Sequence, residues 1–176
     1  MMTQPDEIET ASLGSLISTI SQLLCRGGVT AGDVAALRRM DPRHPAAAFF
    51  KIEGLVLDSY LPGDAAKRMD RETRWAAIIG GLANLGTLHE SGRRLGDVLA
   101  DAQYSELRFA RLVRADSERL VDELPALARF LTAKGAAVDW TGASELILSA
   151  DGSREESVRR HLARDYYRSV ARQESH

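Results

Sequence analysis

The chain has 176 residues, 44% of them apolar, a formal charge of −2 and one cysteine, Cys25. This length suits one packed domain or two small ones, and a single cysteine excludes a disulfide framework or a cysteine-based zinc site and fits a reducing cytoplasm. The mild acidity excludes a generic basic coat protein for nucleic acid, and the polar start Met1-Met-Thr-Gln-Pro-Asp-Glu lacks the features of a secretory signal.

No segment alternates apolar and polar residues with period two, and nearly every periodic stretch has helical spacing, so the expected class is all-α. A first helix is expected from about Asp6 to Cys25, ended by Gly27-Gly28. A second runs from Ala31 to Met40, with Thr30 as its cap and Asp33 completing a capping box. Pro42 and Pro45 break the chain, and a third helix from about Pro45 to Tyr60 should bury Phe49, Ile52, Val56 and Tyr60. Leu61-Pro-Gly-Asp-Ala signals a loop.

The fourth helix, about Arg71 to His89, carries Trp75, Ile78, Ile79, Leu82 and Leu85. Gly80 and Gly81 should weaken it unless they admit a close helix crossing. Its apolar stretch from Trp75 to Leu88 is shorter than the roughly 20 residues a bilayer span needs, so no membrane partner is expected. Ser91-Gly-Arg-Arg then divides the chain into two packed helical halves of four to five helices each, residues 1–90 and 91–176.

Past that boundary a short helix near Leu95 to Ala102 leads to Tyr104-Ser-Glu-Leu-Arg-Phe-Ala-Arg-Leu-Val-Arg-Ala115. Ser105 can cap this segment and Glu106 suits the positive end of the helix dipole. Phe109, Leu112 and Val113 form an apolar face, while Arg108, Arg111 and Arg114 climb three residues apart. One face packs and the other meets anions. A helix pair from about Asp116 to Lys134, divided at Pro125, follows. Asp139-Trp140 starts the next helix, and Asp151-Gly-Ser precedes the last.

The last helix repeats the pattern. Arg160, Arg164, Arg168 and Arg172 fall four apart, about 200° around the helix from Val158, Leu162, Tyr166 and Val170. Stacked like charges cost roughly 0.2–0.5 kcal/mol per pair in an isolated helix, so phosphates or carboxylates should neutralise the ladder. Salt bridges on a solvated face are the alternative for either stripe. Two stripes together with Arg38, Arg39, Arg43, Arg93 and Arg94 shift the balance toward phosphate contacts. Arginine outnumbers lysine 20 to 3, and guanidinium is the better phosphate fork.

Catalytic signals are poor. His44, His89, His161 and His176 are scattered without metal-ligand spacing, and neither glycine pair belongs to a phosphate-binding loop. Neither an enzyme, a metal nor a cofactor is expected. Trp75, Phe109 and Tyr166 sit on apolar stripes and read as core, leaving Tyr104 and Tyr167 beside arginines as possible stacking surfaces.

Read in order, several motifs resemble the small subunit of the type I-E CRISPR surveillance complex, the CasB family of Cascade proteins. They are Ala36-Leu37-Arg38-Arg39 before Phe49-Phe50; Trp75 in a helix to His89; Leu95-Gly96 with Leu99-Ala100; Ser105-Glu106-x-Arg108-Phe109-x-Arg111-Leu112; Asp139-Trp140; and Val158-Arg159-Arg160 before Asp165-Tyr166-Tyr167. They span about residues 36 to 167. Ser149 and Leu162 stand where that family commonly has tryptophans.

The resemblance implies a non-catalytic, all-helical subunit, present in two copies beside the backbone and large subunits of a crRNA-guided complex. Its implied role is to hold target and displaced DNA strands through their phosphates while guide pairing supplies specificity. Arg38, Arg39, Arg108 and Arg111 carry the motifs. Arg114 rests on spacing, and Arg160, Arg164 and Arg168 are secondary. The alternatives are a pure assembly subunit, or a helix-turn-helix-like regulator built on Thr30 to Met40 and the helix after it.

Overall fold

A computed structural model describes residues 10–175, with side chains from residue 12. Among them are nine α-helices and no β-strand: α1 Thr10–Cys25, α2 Ala31–Arg39, α3 Ala47–Ile52, α4 Ala65–Leu85, α5 Leu95–Asp101, α6 Glu106–Arg114, α7 Ser117–Ala133, α8 Thr141–Leu148 and α9 Glu155–Glu174. The expected start of the first helix at Asp6 lies outside the described residues.

Several helices begin where a side chain replaces a missing backbone partner. Thr30 Oγ1 accepts from the Asp33 amide at 3.0 Å and Asp33 returns the bond to the Thr30 amide at 3.2 Å, the capping box expected at α2. Ser105 caps α6 and Asp116 caps α7 with one bond each, accepting from the Arg108 and Arg119 amides. Asp139 Oδ1 accepts from the Thr141 amide, and Trp140 stands at the N-terminus of α8.

Three boundaries differ from expectation. The third helix is α-helical only to Ile52; a π-helical turn, Glu53–Leu57, and a 3₁₀ turn, Asp58–Tyr60, complete it. The wider turn rotates the following side chains, so that Leu57 reaches the core while Val56 and Tyr60 are only partly buried. Arg68 of α4 fixes this turn, pairing with Glu53 at 2.6 Å, Asp58 at 2.8 Å and Glu72 at 3.0 Å.

Helix α4 starts six residues before Arg71 because Asp64 accepts from the Lys67 amide, and it ends at Leu85, where Gly86 takes a positive φ of 57°. Pro125 does not split the next segment: α7 is one helix through it. An interior proline forfeits a backbone hydrogen bond at about 3 kcal/mol or more. Burial of Leu120, Leu124, Leu127 and Leu131 against the core, with α7 packed along α4, offsets that loss.

Helix α4 is central, touching α1, α2, α7 and α8. Gly81 makes one of these approaches possible, since a Cβ there would lie 2.4 Å from Cζ2 of Trp140. The fully buried indole lies against this backbone and donates from Nε1 to the Ile78 carbonyl at 3.1 Å. Gly80 faces α2, where a Cβ would meet the Leu37 carbonyl at an ordinary 3.5 Å. One hydrophobic core runs from α1 through α4 to α9, on both sides of Ser91.

Around that core, α5 lies against α9 at Gly96, whose added Cβ would be 2.7 Å from the Leu162 carbonyl. Leu162, one of the two residues standing where the resembled family commonly has tryptophan, is buried at this crossing. Ser149, the other, closes α8 with a 3.4 Å bond to the Leu146 carbonyl. Helix α6 is held on α9 by the stacked rings of Phe109 and Tyr166, 3.8 Å apart, and by the Tyr166 hydroxyl, which donates to the Tyr104 carbonyl at 2.5 Å.

Candidate nucleic-acid interface

Helix α6 divides as its spacing predicts. Phe109 and Leu112 are buried, whereas Arg108, Arg111 and Arg114 are exposed, and none of the three side chains has a hydrogen-bond or ion-pair partner among the described residues. Arg108 instead lies over two rings, its Cζ 5.9 Å from the centre of Tyr104 and 6.0 Å from that of Phe130. Lys134 Nζ is 5.8 Å from the Phe130 centre. Such cation–π contacts hold a cation without neutralising it. The charge of this helix face therefore stays available to an anion.

Between α6 and α7, Tyr104, Arg108 and Phe130 line a groove of about 290 Å³, completed by Arg111, Glu123, Ala126 and Leu127. Burial, reinforced by the Glu123 carboxylate, raises the pKa of the Tyr104 hydroxyl, which stays protonated.

The end of α2 reaches the same end of α7 from the other side. Arg38 Nε donates to the Ala83 carbonyl at 2.8 Å, leaving its two terminal nitrogens without a partner among the described residues; Arg39 is exposed and likewise unpaired. Asn84 Nδ2 donates to the Arg38 carbonyl at 3.4 Å, and Thr132 Oγ1 donates to the Asn84 carbonyl at 3.0 Å. On α7, Thr132 faces this α2 side and Phe130, about 200° away, faces Arg108. Arg129 projects between them, exposed and unpaired among the described residues. The structure thus brings Arg38, Arg39, Arg108 and Arg111 to the two flanks of one helix end, with Arg129 and Lys134 on it.

The other arginines behave differently. Arg160 pairs with Glu156 at 2.7 Å, Arg168 approaches Asp165 at 3.9 Å and Arg172 reaches Asp97 at 3.5 Å, so carboxylates answer most of the α9 ladder. Arg164 alone among the three proposed there has no partner among the described residues. The stripe also lies about 120–160° around α9 from Tyr166, which faces α6, and so does not join the α6 arginines. Arg43 is committed to a tie across the molecule, with two bonds to Asp122 at 2.7 and 3.1 Å and one to the Glu118 carbonyl. Asp122 raises its pKa. Arg94 pairs with Asp165 at 3.4 Å.

Arg129, Lys134 and Phe130 were not singled out from the sequence, and Glu123 reads there, with Asp122, as surface charge. The available signal was Phe130 standing beside the Leu120-Leu124-Leu127-Leu131 stripe, with a cation on its N-terminal side and another four residues later. Trp75, Trp140, Phe109 and Tyr166 are all buried, as core residues should be, while Tyr167 is 44% exposed and edge-on to Phe109. His161 is exposed, with Nδ1 near the Ser157 carbonyl, and His176 lies outside the described residues. Among the described residues no three His, Cys, Asp or Glu side chains are grouped to hold a metal, and no helix is long and apolar enough to cross a membrane. A larger cavity of about 600 Å³ between α4 and the α8–α9 turn includes Arg74, whose terminal nitrogens donate to the Ile147 and Ala150 carbonyls and to Asp151.

Fold and surface together define an all-helical protein with a cationic face gathered at one helix end. The profile of the family CRISPR-associated protein Cse2 matches residues 33–167, and the chain belongs to that family, the small subunits of type I-E Cascade. It is therefore a subunit of a crRNA-containing CRISPR complex. No curated protein and no solved structure matches the chain.

Proposed function

We propose that this subunit is a non-catalytic clamp that binds nucleic-acid phosphates within the R-loop, on the displaced strand and the target strand, without reading sequence. The observation that carries this reading is the set of guanidinium groups of Arg108, Arg111 and Arg114 on α6, unpaired among the described residues and flanked across α7 by Arg39 and by the terminal nitrogens of Arg38. Guanidinium forks hold phosphates regardless of the attached base, and guide pairing supplies specificity. Adjacent backbone and large subunits, a second copy of the chain, and crRNA and target DNA are the partners of this reading. In the assembled complex, Arg108→Gln with Arg111→Gln should shorten R-loop lifetime while leaving guide–target pairing complete, and equally so for unrelated guides. An unchanged lifetime overturns the proposal.

The neutralised α9 ladder favours a second reading for that helix alone. Arg160 and Arg168, already paired with carboxylates, suit contacts with protein, and Arg164 is the one α9 arginine retained as a secondary phosphate contact. The regulator reading has little support in α3, a six-residue helix that buries Phe49 and Ile52. Its one cation, Lys51, pairs with Asp33 at 2.9 Å, leaving few side chains to read a groove.

A further inference from the structure

We infer that the groove between α6 and α7 is a nucleotide subsite that takes one unstacked base of a single strand, of any identity, while the adjoining phosphates stay at its rim. This rests on the clamp reading and adds to it a preference for bases over bare backbone.

Exposure orders the lining by depth. Arg108, Arg111 and Ala126 are exposed, Glu123 and Phe130 are half-buried, and Tyr104 and Leu127 are buried. The rim is therefore cationic, and the interior is aromatic and aliphatic with one carboxylate on its wall. Glu123 has no hydrogen-bond or ion-pair partner among the described residues, although both arginines line the same groove. A phosphate entering the groove would meet this unneutralised carboxylate and be repelled. A base is neutral, has a π-face for the Phe130 ring, and offers edge N–H groups to the carboxylate.

The rings are already set for this. Tyr104 and Phe130 meet edge to face with centres 5.0 Å apart, and Arg108 and Lys134 lie over Phe130. A base sliding between Arg108 and the rings would keep a guanidinium on one face and an aromatic on the other. At about 290 Å³ the groove is at the small end of ligand sites, enough for one planar heterocycle and too narrow for a stacked pair of strands. Stacking of this kind tolerates every base, so the subsite selects single strands over duplex without selecting sequence.

The test compares binding of the full chain, alone and in its complex, to a random-sequence DNA single strand and to an abasic strand of equal length and charge. The wild-type protein should prefer the base-bearing strand about fivefold, the low end of stacking contributions. Phe130→Leu keeps the site apolar and should remove most of that preference without changing the salt slope. Glu123→Gln, at a side chain with no protein partner to lose, should tighten binding of the abasic strand about two- to threefold and narrow the difference. If Phe130→Leu and Glu123→Gln leave the preference intact, or the wild-type chain has none, while Arg108→Gln with Arg111→Gln still lowers the salt slope, the subsite is wrong and the clamp stands. If the arginine changes are silent too, both fall.

Discussion

Replacing Gly81 by alanine tests the close packing of α4 against Trp140. In an isolated helix the change gains about 1 kcal/mol. Here the new methyl carbon would lie 2.4 Å from Cζ2 and 2.8 Å from Cε2 of Trp140, and 3.0 Å from its Nε1, inside any real contact distance. The indole is fully buried and cannot swing into solvent. Overpacking of this kind costs typically 1–3 kcal/mol. Displacing the ring would also lengthen the 3.1 Å bond from Nε1 to the Ile78 carbonyl, worth about 1 kcal/mol. Taking overpacking near its upper end, the net expectation is a loss of about 3 kcal/mol. Gly80→Ala, one residue away in the same helix, makes only an ordinary 3.5 Å contact and should be neutral or slightly stabilising. Urea unfolding of the two variants reads the contrast directly. Equal stability of the pair, or a stabilised Gly81→Ala protein, refutes the reasoning.

His89 makes stability depend on pH. Its Nδ1 accepts from the Trp140 amide at 3.2 Å, and burial pushes its pKa below the usual 6.5, with nearby Asp139 opposing. Protonation thus favours the unfolded chain: the contribution is complete above about pH 6.5 and is lost as pH falls through the lower folded value. Unfolding midpoints measured from pH 7.5 to 5 should fall less steeply in His89→Asn, whose side-chain oxygen can still accept the bond; parallel curves contradict the assignment. Tyr166→Phe keeps the stack on Phe109 but leaves the Tyr104 carbonyl unpaired. It should cost about 1–2 kcal/mol in unfolding experiments, and no loss would show the bond is unimportant.

Much of the helical order was legible because local chemistry decides it. The Thr30–Asp33 box, the Ser105 cap and the apolar face of α6 involve residues three or four apart, and the all-α class follows from periodicity alone. The early start of α4 at the Asp64 cap is a local signal that went unread, whereas the other two misread boundaries depend on partners beyond the local turn. Arg68 reaches back to Glu53 and Asp58 to hold a π-helical turn, and α4 supports α7 through Pro125. Both arginine stripes were visible, but the sequence does not tell an unpaired guanidinium from one paired across helices, as Arg172 is with Asp97. The convergence of α2 and α6 on the end of α7, with Arg129 between them, exists only in three dimensions.

The central claim concerns phosphate binding by α6, and the salt dependence of single-strand affinity tests it most directly. Each phosphate contact removed should lessen the slope of log K against log salt by about 0.7, so Arg108→Gln with Arg111→Gln should lessen it by about 1.4. Arg160→Gln with Arg168→Gln, already answered by Glu156 and Asp165, should change it far less. An unchanged slope in the α6 variant, in the isolated chain and in the assembled complex, would contradict the account.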